Sequence, residues 1–268
     1  MPDTNTIVNV RLKRYKKDFE HSYAFGVFPT LELLTHQPQH TLRVLTHPKG
    51  KDNAGIAKIR AICRKNETPL QIQERVVERL SPKENVYAVG VFRKYPTDLD
   101  PAANHVVLVN PGGMGNLGTI MRSMLGFGMR DLAIIRPAAD IFHPNVIRAS
   151  MGAVFQIRCE GFASFEEYRQ SHRRRIYPLM TGGTTPLPEA HFEPPFTLVF
   201  GSERHGLGDE YHALGTSISI PQCEAIDSLN LAVAVGVTLY QARPTDDCRP
   251  VTGDRRPITA DRRSQTEY

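Results

Sequence analysis

The chain has 268 residues, 40% of them hydrophobic and 23% charged, with 20 Gly and 20 Pro. That is the composition of a globular protein, and it excludes a fibrous or wholly disordered chain. Lys and Arg outnumber Asp and Glu by 33 to 28, giving a formal charge of +5 and a pI of about 9.1, a balance that fits a nucleic-acid partner without requiring one.

No apolar run reaches the roughly 18 residues needed to cross a bilayer, and the opening MPDTNTIVNV lacks the basic-then-apolar layout of a secretory signal. The expected setting is the cytoplasm, with no membrane partner. Cys63, Cys159, Cys223 and Cys248 form no CxxC pair, so neither a zinc ribbon nor a disulfide framework is indicated.

The length suggests about two domains. In the first, residues 1–98, apolar residues are dense enough from Lys16 to Leu34 for a helix broken at Gly26 and Pro29. HTLRVLTHP then alternates like a strand, QIQERVVERL places Ile72, Val76, Val77 and Leu80 on one helical face, and YAVGVFRKY reads as a strand. Residues 99–104 are the expected linker, since they contain Pro101 and no periodicity.

From 105 to 245 strand and helix patterns alternate more strongly. HVVLVN is a continuous apolar run of the kind buried on both faces of a parallel sheet. A Gly-rich turn follows, then a helix carrying Ile120, Met121, Met124, Leu125 and Phe127, then the strand LAIIRP. Further strands are expected at 176–180, 197–200 and 217–220, with a last helix from Ser228 to Gln241. The sum is an α/β fold with a mostly parallel sheet. Residues 246–268 are polar and Pro-rich, with too little apolar surface to order themselves.

Three segments carry candidate chemistry. Gly113-Met-Gly115-Asn-Leu-Gly118 is formally GxGxxG between a strand and a helix. A dinucleotide-binding turn would need an acidic residue at the end of the next strand, yet that strand ends at Arg136-Pro137. Asn116 and Arg122 lie six apart there, and Arg122 sits among apolar residues rather than other charges, which favours a specific duty for it. LVFGSERHGLG puts a Gly and then Ser202, Glu203, Arg204 and His205 after a buried strand, at the sheet edge where α/β proteins bind ligands. Glu203 and His205 lack the spacing of a metal set, and no metal is assigned. In ISIPQCEAIDSLNLAVAVG, either Asp227 or Ser228 can cap the helix. That leaves Asn230, a mildly unfavourable helix residue, without a structural duty.

Taken together, these segments resemble the three signature motifs of the SpoU, or TrmH, family of RNA ribose 2′-O-methyltransferases in the SPOUT superfamily. NPGGMGNLGTIMRSMLGFG resembles the first, LVFGSERHGL the second and SIPQCEAIDSLNLAVAVG the third, in matching order over about residues 104–242.

The resemblance implies a C-terminal α/β domain with a deep trefoil knot, S-adenosyl-L-methionine bound in it, a homodimer and an RNA substrate, ribosomal or transfer. It places Gly201, Ile220 and Leu229 at cofactor-contacting positions and Asn116, Arg122, Glu203, Ser228 and Asn230 at catalytic ones. In that scheme Arg122 contacts the nucleotide's phosphate and 2′-OH, while Asn116, Glu203 and Ser228 fix the ribose and Arg122, and Asn230 shapes the cofactor loop. The first hundred residues fall where members carry a small α/β RNA-binding domain. Gln222 and Glu224 depart from the family's third-motif loop, where Met and Gly are common.

Two basic clusters suit an RNA backbone: Arg11, Lys13, Arg14, Lys16 and Lys17, and Arg173 to Arg175. Two other classes compete with the enzyme. One is a knotted RNA-binding protein without chemistry, and the other a nucleotide-dependent oxidoreductase, weakened by the missing acid.

Overall fold

The computed structural model describes residues 12–81, 85–223 and 227–243. Arg11, Glu224, Cys248 and the 246–268 tail lie outside these. The first part of the chain contains β1 (His21–Phe25), α1 (Val27–His36), β2 (Thr41–Thr46), α2 (Ala54–Lys65), β3 (Leu70–Ile72), α3 (Glu74–Leu80) and β4 (Ala88–Arg93). Its sheet has the order β1-β4-β2-β3, with β4 antiparallel to both neighbours and β2 parallel to β3.

The stretch expected as one broken helix is instead a strand followed by a helix. Tyr23 and Ala24 are fully buried on β1, and Gly26, at a φ of 105°, turns the chain into α1. Ile72 likewise ends a strand and is exposed rather than facing inward with Val77 and Leu80. The helix α2 was not foreseen.

The second part contains β5 (His105–Val109), α4 (Met114–Gly126), β6 (Asp131–Ile135), α5 (Pro144–Ala149), β7 (Arg158–Phe162), α6 (Phe165–Ser171), β8 (Arg175–Leu179), β9 (Thr185–Pro186), β10 (Phe196–Phe200), β11 (Ile218–Ser219) and α7 (Leu231–Ala242). Seven strands pair in the order β7-β6-β5-β10-β8-β11-β9, every pairing parallel. Both faces of this sheet are covered, as its apolar strands require. On β5, Val106 and Leu108 pack toward α4, α5 and α7, whereas Val107 packs toward α6 with Phe162, Phe165 and Tyr168. Gly118 brings α4 against α5, since a Cβ there would stand 2.5 Å from that of Ala149.

The two sheets share one apolar core. Ala24, Leu33, Phe92 and Tyr95 belong to the same cluster as Leu108, Phe142 and Phe155, and the Phe92 ring meets the Phe155 ring edge-on at 5.2 Å. Polar ties reinforce this seam: Ser22 Oγ donates to the Phe142 carbonyl at 2.5 Å, Gln37 to the Phe155 carbonyl at 2.8 Å, and Asp140 accepts from Tyr15 and Lys94.

The segment expected as a linker is likewise fastened. Leu99 is buried, and the Asp100 amide donates to Asp131, whose buried carboxylate takes two hydrogen bonds from Arg158 at 2.7 and 2.6 Å.

His105, fully buried at the start of β5, bonds to the Asp100 carbonyl at 2.8 Å and to the Tyr168 hydroxyl at 2.9 Å. A carbonyl only accepts, so Nε2 carries the proton and Nδ1 accepts from Tyr168. Burial pushes the His105 pKa down to about 4, with the Asp100 carbonyl opposing. Below about pH 6.5 the unfolded chain therefore binds a proton that the folded chain refuses until about pH 4. Stability should fall across that window by about 3 kcal/mol from this group, and denaturant titrations at pH 7 and pH 4.5 measure the loss. His21, His40, His143 and His172 are lowered by burial too and act in the same direction, so His105→Gln should reduce the acid sensitivity without removing it.

Candidate active site

A cleft of about 510 Å³ opens at the C-terminal ends of the adjacent strands β8, β10 and β11, within the usual range for small-molecule sites. Its apolar wall includes Leu179, Phe200, Ile218 and Leu231, and polar groups come from Thr181, Ser202, Glu203 and Gln222. Gly201, Ile220, Leu229, Glu203 and Ser228, all singled out from the sequence, line it. Gly201 is required by close approach, since a Cβ there would fall 2.0 Å from the Gly206 carbonyl carbon. His212 and the Thr181-Gly182 turn after β8 also line the cleft and were not singled out. The rule that placed attention on the ends of parallel strands applies equally to that turn.

One edge of the cleft is a directed chain of hydrogen bonds. Glu203 Oε1 accepts from the Gly113 amide at 3.0 Å and from Asn116 Nδ2 at 3.3 Å, and its Oε2 accepts from the Gly112 amide at 3.3 Å. A carboxylate only accepts, so Asn116 must turn its amide nitrogen toward it and its oxygen away. That oxygen receives Asn230 Nδ2 at 3.2 Å, and Asn230 Oδ1 in turn accepts the Ala232 amide at 2.9 Å. Gly113 admits the carboxylate, because a Cβ there would lie 2.6 Å from Glu203 Oε1.

Burial alone would raise the Glu203 carboxyl. The donors from its own backbone, Asn116, Gly112 and Gly113 outweigh it and hold the group below the usual carboxylate range. Glu203 is thus a weak base at neutral pH and acts as a clamp on the first-motif loop.

One expectation changes here. Asn230 has a structural duty after all: it is the N-cap of α7, and neither Asp227 nor Ser228 caps that helix. The Gly112 and Gly113 amides that would greet a pyrophosphate in a dinucleotide turn are taken by Glu203. Arg122 takes no part in the chain and does not line the cleft. Six residues is roughly 240° around a helix, so its apolar neighbours Ile120, Met121 and Met124 face the core while Arg122 is exposed.

Of the second basic cluster, Arg174 donates to the Ala103 and Pro101 carbonyls and Arg175 pairs with Glu193, which leaves Arg173 as its exposed member without such a contact among the described residues.

Residues 103–240 match the SpoU rRNA Methylase family, the span that holds the cleft and the whole hydrogen-bonded chain. This protein belongs to the SpoU family. The chain is similar to an uncharacterized tRNA/rRNA methyltransferase of Synechocystis sp., at 33% identity over 133 residues, 48% of each chain. It is also similar to the 23S rRNA (uridine(2479)-2′-O)-methyltransferase of Streptomyces viridochromogenes, at 29% identity over 146 residues, 51% of each chain. The chain thus spans about half the length of these curated relatives. Its fold is shared with the SpoU methyltransferase AviRb of S. viridochromogenes, solved with the cofactor AdoMet, at a TM-score of 0.71 and 23% identity over 83% of this chain and 89% of that one.

Elsewhere, His47 Nε2 lies 3.6 and 3.5 Å from carboxylate oxygens of Glu74 and Glu78. Its Nδ1 accepts the Lys49 amide at 3.1 Å, so in the neutral ring the nitrogen facing the glutamates carries the proton. That tautomer suits hydrogen bonding rather than metal ligation.

Replacing Glu203 by Gln turns an amide N–H₂ toward donors it cannot satisfy. Hydrogen exchange at Gly112 and Gly113 should accelerate at least several-fold in that variant while the amides of β5 keep their protection, and unchanged exchange at both glycines would refute the clamp.

Proposed function

We propose that this SpoU-family chain transfers a methyl group from S-adenosyl-L-methionine to a ribose 2′-hydroxyl of structured RNA, ribosomal or transfer. The observation that carries the reading is a cleft whose walls come from the second and third motifs and whose edge is tied to the first through Glu203, Asn116 and Asn230. The cleft's residues suit the cofactor. Apolar Leu179, Ile218 and Ile220 offer a wall for a nucleoside, and Thr181, Ser202 and Gln222 offer polar contacts for its charged end. When bound, S-adenosyl-L-methionine supplies a methyl carbon already activated on a sulfonium sulfur.

The chain's own work is alignment, since a ribose hydroxyl is a poor nucleophile at neutral pH. Ser228, at the cleft rim, is placed to hold the ribose, and Asn116 and Glu203 keep the rim in register. A guanidinium is a fork of donors with no acceptor, suited to gripping anions, and Arg122 supplies one. Its role is to bind the nucleotide's phosphate and orient the 2′-OH, for which an exposed guanidinium is suited.

Pairing of two copies belongs to this reading. Val233, Val237 and Tyr240 form an exposed apolar stripe on α7, the helix capped by Asn230, and a second copy is its proposed cover. The trefoil knot belongs here too. The late return of β10 between β5 and β8 is consistent with the threading it needs.

Incubation with radiolabelled S-adenosyl-L-methionine and total RNA, followed by mapping of the modified ribose, tests the reading directly. Arg122→Ala should lower methyl transfer by at least about 100-fold, the size of an electrostatic contact made in the transition state. Calorimetric cofactor affinity should stay within about twofold, and wild-type turnover would remove Arg122 from the mechanism. Val237→Lys should weaken self-association by about 10-fold or more, as burying a lysine in an apolar interface costs over 1.4 kcal/mol; sedimentation of the two proteins measures the change.

A further inference from the structure

Six cations stand between residues 49 and 65, namely Lys49, Lys51, Lys58, Arg60, Arg64 and Lys65, against the single acid Asp52. This net +5 equals the formal charge of the whole chain. Four of the six lie on α2, and among the described residues it is the only helix with more than one cation and no acid.

Packing fixes which way the charges point. Ile56, Ile59 and Cys63 are buried against Leu31, Leu34 and Val44, so Lys58, Arg64 and Lys65 are exposed and Arg60 is half-buried at the edge. Two other charged helices offset their charges: Arg169 pairs with Glu166 on α6, and α3 alternates acid and base. None of the six cations takes part in an ion pair among the described residues. Like charges at i,i+4, as at Arg60 and Arg64, disfavour a helix, so α2 keeps an arrangement that costs it stability and that a polyanion would relieve.

The first basic cluster has a different place. Leu12 and Tyr15 pack with Tyr23, Leu45 and Val77 on one face of the four-stranded sheet, whereas α2 packs on the other. At the C-terminal end of α2 a shallow groove of about 460 Å³ is lined by Arg60, Arg64, Glu67, Thr68 and Leu70, with Cys63 at its floor. It offers two guanidinium groups for phosphates beside an apolar surface for a sugar or base, and Glu67 is its one acid.

We infer that the outer face of α2, with the Lys49–Lys51 turn leading into it, is the surface on which this protein docks the phosphate backbone of its RNA. The inference rests on the RNA reading above and adds where, on this chain, the RNA lies. Charge complementarity carries it, since each phosphate neutralised releases counterions and deepens the salt dependence.

The test uses the full chain and a variant with Lys58→Gln, Arg60→Gln, Arg64→Gln and Lys65→Gln, which keeps good helix formers on α2. Fluorescence anisotropy with bulk transfer RNA and with fragmented ribosomal RNA is followed against salt. The variant should bind roughly 10- to 100-fold more weakly at low salt, and its slope of log K against log salt should shrink by about 2 to 3. Helical circular dichroism and S-adenosyl-L-methionine affinity should match the parent. The double variant Arg64→Gln, Lys65→Gln should lose about half the slope change.

A comparison variant with Lys13, Arg14, Lys16 and Lys17 each replaced by Gln removes as many charges from the opposite face and should lose less than about threefold. Equal losses from the two variants would make net charge the cause and overturn the α2 surface, as would unchanged affinity and slope in the α2 variant. If the parent chain binds neither RNA, or binds anionic phosphatidylserine vesicles in their place, the RNA reading itself fails.

Discussion

The carboxylate of Glu203 is the constraint on which the arrangement of the cleft depends. It can only accept hydrogen bonds, and three donors from the first-motif loop converge on it. That polarity propagates: Asn116 is forced into one amide orientation, Asn230 into the matching one, and the remaining oxygen of Asn230 starts α7. Segments far apart in sequence are thereby held at one rim. The carboxyl is kept ionised by the same donors, so its contribution is present in full at neutral pH and is lost only as pH falls through its depressed value. A group so occupied positions its neighbours rather than serving as a base.

The seven-stranded sheet supplies the rigid frame for that rim. Its parallel strands end together, and the loops leaving β8, β10 and β11 meet there. The smaller sheet is fused to this frame by a continuous apolar core and by the Asp140 contacts with Tyr15 and Lys94. A module held in this way carries its charged helix as part of the same body, so RNA gripped by α2 would be presented to the cleft by the fold itself rather than by a hinged arm.

Much of this was legible from residues alone where local pattern and burial agree. HVVLVN and TLVF are buried strands because continuous apolar runs have no other stable place in an α/β protein. Three motifs in order were enough for the resemblance, and Gly201, Ile220, Leu229, Glu203 and Ser228 do share one cleft. Reading failed where tertiary context overrides local pattern. HSYAF is dense in apolar residues yet is a strand, because pairing with β4 and burial on both faces decide it. The helix α2 went unseen although Ile56, Ile59 and Cys63 recur at helical spacing between its four cations. Asn230 defies the sequence reading because α7 starts at Leu231 rather than at Ser228, which makes Asn230 the N-cap rather than a residue inside the helix.

From the sequence alone came the α/β class, the parallel sheet, the family resemblance and the residue types at the site, because hydrophobic periodicity and motif spacing are local properties of the chain. Tertiary structure alone decided that Glu203 clamps a loop, that Asn116 ties it to Asn230, that Arg122 stands on the outer face of α4, and that the cations of α2 meet no acid among the described residues. Each of these depends on which groups meet across the fold. Hydrogen-bond polarity and charge compensation are settled by neighbours in space, not by neighbours in the chain.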